Sequence, residues 1–141
     1  MGFNVASHVR RKMLPSAVLY IYDLKRQTCE RFAQEHAMYG AVEITNSAMD
    51  AVNQSEVVIS IVPQSSDVRS LYLDGREPVI ESTKGNRVIL ECSTIDIETS
   101  TVVGNRIQGA GIGTYVDSPI SVSTNLPADC QLVDEGRRDW S

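Results

Sequence analysis

Short runs of β-branched and aromatic residues alternate along this chain with longer stretches of helical periodicity. Residues 18–22, 57–62 and 88–90 have the β-propensity of strands, and a helix-like segment follows each of them. Alternation of this kind builds βαβ units, whose parallel strands form one sheet covered by helices. The sequence therefore predicts an α/β fold with a parallel sheet.

The remaining elements follow from the same periodicities. Two further short strands are predicted over residues 42–44 and 114–116, and helices are predicted over residues 3–13, 24–36, 47–53, 65–73 and 97–108. Ser47 is placed to cap the third helix. The run 57–62 is continuous enough to be a strand buried on both faces, and Pro63 ends it because proline has no amide for the ladder.

Charge and cysteine content exclude several classes of function. The net charge of −5 leaves no basic face for nucleic acid, and the one short basic cluster, residues 10–12, is expected on a solvated helix face. No apolar run approaches the length of a membrane span. The three cysteines have no zinc-like spacing, so we expect free thiols in a reducing compartment and no metal site. The sequence favours a cytoplasmic or mitochondrial location, with no targeting segment visible.

Asp23 follows directly after a predicted strand and lies 21 residues beyond Gly2. In a dinucleotide-binding βαβ unit, an acidic residue about 20 residues after the glycine loop binds the ribose hydroxyls. A carboxylate there also repels a 2′-phosphate, which favours NAD over NADP, although Lys25 and Arg26 weaken that preference. Asp23 taken alone is equally consistent with a simple helix cap.

Polar loops also follow two other strands. Residues 63–68 come after the run 57–62, and residues 91–96 come after the run 88–90. A single Ser-Thr pair at such a place is usually a helix cap. Ligands of open parallel sheets bind at the carboxyl ends of the strands, so two polar loops at this edge, together with Asp23, point to a ligand site.

The order and spacing of several motifs resemble the β-hydroxyacid dehydrogenase family, the family of 3-hydroxyisobutyrate and 6-phosphogluconate dehydrogenases. The opening M-G-F-N-V-A resembles the end of the family's G-x-G-x-M-G-x-x-M-A, and Tyr22-Asp23 matches its Y-D. Val62-Pro63 stands where the family has L-P, and C-S-T-I-D at 92–96 matches S-S-T-I-D. Residues 115–121 match F-x-D-A-P-V-S, so the resemblance covers residues 1–121.

This resemblance implies a Rossmann-like doubly wound parallel sheet and an NAD or NADP cofactor. It places Gly2, Asp23, Val62, Pro63, Asp67 and Thr94 along the cofactor. It makes Ser121 the serine that contacts a small β-hydroxyacid substrate. The implied reaction is reversible hydride transfer from that substrate to NAD(P)⁺, with a lysine on a later helix in proton transfer. The intact family also allows a homo-oligomer.

The chain departs from the family at both ends. The first strand and the first two glycines do not precede Gly2, so we expect a sheet lacking its first, central strand and leaving two inner edges unpaired. The family's S-G-G is Ser121-Val122-Ser123 here. Residues 122–141 have no periodic apolar pattern, which predicts an irregular tail in place of the helical catalytic domain and its lysine. The expected organisation is a partial NAD(P)-binding domain over 1–121 that is inactive by itself.

Two other functions remain open at this level. The chain could be a non-catalytic interaction module that pairs with a full-length homologue. It could also be a flavodoxin-like domain that has βαβ order but no dinucleotide site.

Overall fold

Parallel strands alternate with helices in the computed structural model of the chain, which describes residues 1–120. The helices are α1 Gly2–Lys12, α2 Arg26–His36, α3 Ala48–Asn53, α4 Ser65–Arg69 and α5 Ile97–Gly109. The strands are β1 Leu19–Ile21, β2 Val42–Ile44, β3 Val57–Ser60, β4 Arg87–Glu91 and β5 Gly113–Asp117. The predicted α/β alternation is therefore confirmed, and the predicted tail over 122–141 lies outside the described residues.

The five described strands form two separate parallel sheets. β1 pairs with β2, and β3 pairs with β4, which in turn pairs with β5. In the doubly wound order 3-2-1-4-5-6, β1 and β2 take the places of strands 2 and 3, and β3, β4 and β5 take those of strands 4, 5 and 6. The break between the two sheets therefore falls where that order has its strand 1. The prediction of a Rossmann-like parallel fold is confirmed, and among residues 1–120 no strand pairs with β1 or β3 on the side away from β2 and β4.

The main core lies on one face of the β3–β4–β5 sheet. Side chains from α3, α4, the turn that follows α4, α5 and β4 meet there and are almost fully buried: Val52, Val68, Tyr72, Ile89, Val103 and Ile107. Because side chains alternate between the faces of a strand, Val57, Ile59, Val88 and Val116 point to the other face. Their exposures are 60%, 41%, 39% and 39%. The prediction that the run 57–62 is buried on both faces is therefore wrong.

Aromatic contacts hold α1 against α2. The Phe3 ring meets the Phe32 ring edge-on at 5.2 Å, and His36 stacks on Phe32 at 4.1 Å. The Ser7 hydroxyl lies 2.6 Å from His36 Nε2. These contacts bury Phe32 and His36 and fix α2 beside the first helix.

Arg10 corrects the prediction of a solvated basic face. Its side chain is fully buried, whereas Arg11 and Lys12 are exposed. The guanidinium donates to three backbone carbonyls, those of Ala17 at 2.6 Å, Leu14 at 2.7 Å and Ala41 at 3.0 Å. It thus joins the end of α1 to the segments that lead into β1 and β2.

The predicted helix over 65–73 is two elements. α4 ends at Arg69, and the chain continues as a π-helical turn over Ser70–Asp74. The Gly75 amide closes this wider turn by donating to the Ser70 carbonyl at 2.8 Å, five residues back. The spacing of apolar residues did not distinguish the α-helix from the π-helical turn, because either kind of helix buries Val68 and Tyr72 in the same core.

Candidate functional site

The loops that follow β3 and β4 are joined by hydrogen bonds at the carboxyl edge of the sheet. The Val62 amide donates to the Ser93 hydroxyl at 2.8 Å, and the Asp96 amide donates to the Ser65 hydroxyl at 3.2 Å. Pro63 and Thr94 belong to these two loops, and both residues are exposed. The structure therefore brings together the two polar loops that the sequence placed at one edge.

A buried polar network supports these loops from below. The Glu91 carboxylate is fully buried at the end of β4, where it accepts a hydrogen bond from the Ser93 amide at 2.8 Å and a short one from the Ser60 hydroxyl. The Ser60 hydroxyl also lies 2.5 Å from the Tyr72 hydroxyl. Burial, with the Glu91 charge adding to it, raises the pKa of Tyr72 well above its ordinary value. Tyr72 is therefore a neutral hydrogen-bonding group at physiological pH.

Sequence reasoning assigned no role to Glu91 or Ser60. Both are polar residues at the ends of apolar runs, and they are register partners across β3 and β4. A polar pair at matching ends of two neighbouring apolar strands is the signal that could have found them. Their contact could not be predicted, because it depends on the pairing register of the strands.

Asp96 caps α5 on the solvent side of the same edge. Its carboxylate accepts the Thr99 amide at 2.7 Å and the Thr99 hydroxyl at 3.0 Å. Hydrogen bonding to the Ser65 hydroxyl and then to Thr99 lowers the pKa of Asp96 to about 2. The cap of this helix is thus Asp96, and the neighbouring Thr94 hydroxyl stays available to a ligand.

The amino end of α1 reaches the same edge. This helix has no side-chain cap and no acidic residue in its first turn, so its first amides are available to an anion. A Cβ on Gly2 would lie 3.9 Å from the Ile61 carbonyl oxygen, which is an ordinary contact. The position of Gly2 therefore has room for a side chain among the described elements.

Asp23 lies beyond the carboxyl end of β1, on the other side of the break in the sheet. Its carboxylate accepts the Lys25 amide at 2.7 Å, two residues on, and the side chain is exposed. The residue at the capping position of α2 is Lys25, and no side chain caps that helix. Asp23 therefore stabilises the turn of this loop through one carboxylate oxygen. Its other carboxylate oxygen is free to accept a hydrogen bond from a ligand.

Two further predicted site residues are Asp67 and Ser121. Asp67 lies in the first turn of α4 and is half-buried. Ser121 lies outside the described residues, but the chain leading to it runs along the end of β4. There the Ser118 amide donates to the Glu91 carbonyl at 2.8 Å, and the Ile120 amide donates to the Cys92 carbonyl at 3.2 Å.

Two further features belong to the described residues 1–120. They contain no cluster of three histidine, cysteine or acidic side chains able to hold a metal ion. In the same part of the chain, no helix has the length and apolarity to cross a bilayer. A cavity of about 450 Å³ lies beside β1 and β2 next to Asp50 and Gln54, away from the loops after β3 and β4.

Taken together, a parallel sheet of this order, an open helix amino end and an acidic residue after the next strand define the class of Rossmann-type dinucleotide-binding domains. The chain belongs to the family described as the NAD binding domain of 6-phosphogluconate dehydrogenase, whose sequence model matches residues 1–132. It is thus an NAD(P)-binding domain of the β-hydroxyacid dehydrogenase family. The match continues past Ser121, where the sequence resemblance was expected to end.

Individual relatives agree with this family. The chain is 35% identical over 92 residues to a 3-hydroxyisobutyrate dehydrogenase of Pseudomonas aeruginosa, which covers 62% of this chain and 30% of the relative. It is 30% identical over 107 residues to an NAD-dependent L-serine dehydrogenase of the same organism, over 76% of this chain and 34% of the relative.

The fold also matches a solved structure. The crystal structure of a 3-hydroxyisobutyrate dehydrogenase from Salmonella typhimurium superposes with a TM-score of 0.60 at 20% identity, over 74% of this chain and 34% of that chain. At this identity the superposition shows the fold alone. The chain spans about a third of the length of the relatives it matches.

Proposed function

We propose that this chain is the cofactor-binding part of an oxidoreductase that oxidises a small β-hydroxyacid by hydride transfer to NAD⁺. The observation that carries the proposal is the grouping of three unlike features at the carboxyl edge of the strands. These are the uncapped amino end of α1, the exposed carboxylate of Asp23 and the joined loops after β3 and β4. These three features match, in that order, the pyrophosphate, the ribose and the nicotinamide of a dinucleotide.

Each feature has a distinct role in this proposal. The first amides of α1, from Gly2 onward, bind the pyrophosphate, because free amides and the helix dipole attract anions. The Asp23 carboxylate accepts hydrogen bonds from the ribose hydroxyls and repels a 2′-phosphate, which favours NAD over NADP. The nearby Lys25 and Arg26 reduce that preference by attracting the same phosphate.

The loops after β3 and β4 form the nicotinamide end. Val62, Pro63, Asp67 and Thr94 lie along the cofactor, and Ser121 contacts the carboxylate or hydroxyl of the substrate. The bound nicotinamide supplies the hydride acceptor. The network of Glu91 and Ser93 holds both loops at a fixed separation, so that Thr94 and the Val62–Pro63 peptide face the ring.

Proton transfer is not supplied by the lysines of this chain. The chain has three lysines, Lys12, Lys25 and Lys84. Lys84 contacts Gly111 before β5, at the opposite edge of the sheet from Thr94, and Lys12 ends α1 at that opposite side. Lys25 follows Asp23 at the ribose end. We therefore propose that the 141-residue chain binds the cofactor without turning over substrate.

The test compares Asp23→Asn with Glu35→Gln, which removes the same charge from the exposed surface of α2. NADH and NADPH binding is measured by the change in nicotinamide fluorescence on titration. Loss of a charged acceptor should weaken NADH binding by about tenfold or more, and the ratio of NADH to NADPH affinity should fall toward one. Glu35→Gln should leave both affinities unchanged. Equal NADH affinity in both variants would remove Asp23 from the site.

A second measurement addresses substrate oxidation. The chain is mixed with NAD⁺ and 3-hydroxyisobutyrate or L-serine, and NADH formation is followed by absorbance. No turnover is expected, because no lysine lies near the loops after β3 and β4. NADH formation by the purified chain would show that another residue transfers the proton.

A further inference from the structure

A chain of buried hydrogen bonds runs from the core to the first peptide beyond β3. The Tyr72 hydroxyl lies 2.5 Å from the Ser60 hydroxyl, which also forms a short hydrogen bond to the Glu91 carboxylate. The second oxygen of that carboxylate accepts the Ser93 amide at 2.8 Å. The Ser93 hydroxyl in turn accepts the Val62 amide at 2.8 Å. The chain therefore joins the turn after α4, the ends of β3 and β4, and the loop after β3.

The donors of this chain all point toward Glu91. A carboxylate without a proton only accepts, so the Ser60 hydroxyl donates its one proton to Glu91 and accepts from Tyr72. The side chains of Tyr72, Ser60, Glu91 and Ser93 are at most 8% exposed, so water does not compete for these bonds. Each bond therefore fixes the next one, and the last bond fixes the direction of the Val62 amide.

The Ile61 carbonyl faces the opposite way from the Val62 amide. In a planar trans peptide bond, the carbonyl oxygen and the amide hydrogen point in opposite directions. Because the Val62 amide points to Ser93, the Ile61 carbonyl points away from Ser93 and toward α1. A Cβ built on Gly2 would lie 3.9 Å from this oxygen. Among residues 1–120, no backbone amide donates to the Ile61 carbonyl.

The buried anchor matters because the Ile61–Val62 peptide lies beyond the paired part of β3. The ladder between β3 and β4 ends at Ser60 and Glu91. Peptides in the loops beyond a strand are more mobile than those within it. Without the bond from the Val62 amide to Ser93, the peptide could rotate and turn its carbonyl away from α1.

We propose that Ser93, held by Glu91, is a positioning residue that turns the Ile61 carbonyl toward the cofactor, where the carbonyl accepts a hydroxyl of the nicotinamide ribose. This inference rests on the proposed function, in which the first amides of α1 bind the pyrophosphate. A carbonyl and a phosphate are both acceptors and do not bond to each other. The next group of the cofactor toward the Pro63 loop is the nicotinamide ribose, whose hydroxyls are donors.

Ser93→Ala removes the acceptor of the Val62 amide, and Ser82→Ala is the matched control. Ser82 is also buried, and its hydroxyl has no hydrogen-bond partner among residues 1–120. Titration calorimetry on the full 141-residue chain measures binding of NADH and of ADP, which lacks the nicotinamide and its ribose. Ser93→Ala should weaken NADH binding by about tenfold and leave ADP binding unchanged. Ser82→Ala should leave the binding of both ligands unchanged.

The two ligands distinguish a positioning role of Ser93 from a role in folding and from failure of the proposed function. If Ser93→Ala weakened NADH and ADP binding by the same factor, Ser93 would support the domain as a whole and the inference would be wrong. Unchanged NADH binding by this variant would overturn it as well. If the unmodified chain bound neither ligand, the proposed function would fail, and the inference with it.

The carbonyl carbon resonance of Ile61 gives a test that needs no variant. Triple-resonance NMR spectra detect this carbon through the Val62 amide. A new hydrogen bond to the carbonyl oxygen should move the resonance downfield when NADH is added, and ADP should leave it in place. A resonance that saturating NADH does not move would overturn the proposal, even if Ser93→Ala failed to fold.

Discussion

Arg10 and Glu91 are both charged side chains with no exposed surface, and neither forms an ion pair with another of the described residues 1–120. Arg10 is held by three carbonyls at the carboxyl end of α1, where the helix dipole favours a cation. Glu91 is held by a hydroxyl and an amide. Uncharged dipoles therefore stabilise both charges, which costs less than burying them without partners.

The Cys92 thiol is expected to react slowly in the folded chain. Burial first, and then the nearby charges of Glu91 and Asp117, raise the pKa of Cys92 to about 11 from the ordinary value of 9.0. The thiolate is the reactive form, so at pH 8 the folded chain has about 100-fold less reactive thiolate at this position than the unfolded chain. This difference in thiolate content should narrow as the pH rises toward the pKa of Cys92 in the folded chain.

Ellman's reagent measures this rate in a variant that keeps Cys92 alone, with Cys29→Ser and Cys130→Ser. The control is the same variant unfolded in about 6 M guanidinium chloride, a concentration that unfolds even stable domains. Reaction in buffer at the unfolded rate would mean that Cys92 is accessible and ionised in the folded chain.

The positions of the helices and strands were largely predictable from the sequence, whereas the burial of their side chains was not. β2 was predicted at its observed bounds, and α5 within one residue, because regular apolar spacing determines both. Ser47 was predicted as a cap and accepts the Asp50 amide at 3.0 Å. The exposed face of β3 and the burial of Arg10 were missed, because exposure depends on which neighbouring elements are present and not on local sequence.

The candidate site was predictable to a similar degree. Asp23, Val62 and Thr94 were expected at the ends of strands, and they lie there. Their roles in cofactor binding stay predictions. The network of Glu91, Ser60 and Ser93 was not predicted, since it depends on side chains brought together by strand register.

The packing of α5 on β5 depends on Gly104. A Cβ at this position would lie 2.9 Å from Cδ1 of the Tyr115 ring, so the ring or the helix must move in Gly104→Ala. Overpacking costs about 1–3 kcal/mol, which outweighs the gain of up to about 1 kcal/mol in helix propensity. The variant should therefore lose on the order of 1 kcal/mol in free energy of unfolding.

Gly109 is the matched control in the same helix. No heavy atom lies within 4 Å of a Cβ built there. Gly109→Ala should leave the stability unchanged or raise it by up to about 1 kcal/mol. Urea unfolding followed by circular dichroism gives both values, and equal effects of the two substitutions would contradict the role of Gly104 in packing.

At the scale of the whole molecule, the two faces of the β3–β4–β5 sheet differ sharply. One face packs against α3, α4 and α5 with Ile89 fully buried, and the other exposes Val57, Ile59, Val88 and Val116. Contiguous exposed apolar surface of this kind marks an interaction site or an aggregation risk. The β3–β4–β5 sheet therefore has one face packed against helices and one apolar face that is exposed.

Replacing the outward residues should reduce apolar exposure without reducing stability. Val88→Thr combined with Val116→Thr keeps β-branched side chains on the open face, so the free energy of unfolding should change by no more than about 0.5 kcal/mol. The fluorescence of the dye ANS in native buffer should fall, because its apolar binding surface is smaller. Ile89→Thr, on the buried face of the same strand, should instead lose at least about 2 kcal/mol. If the double variant were as unstable as Ile89→Thr, the face bearing Val88 and Val116 would be packed against another part of the chain.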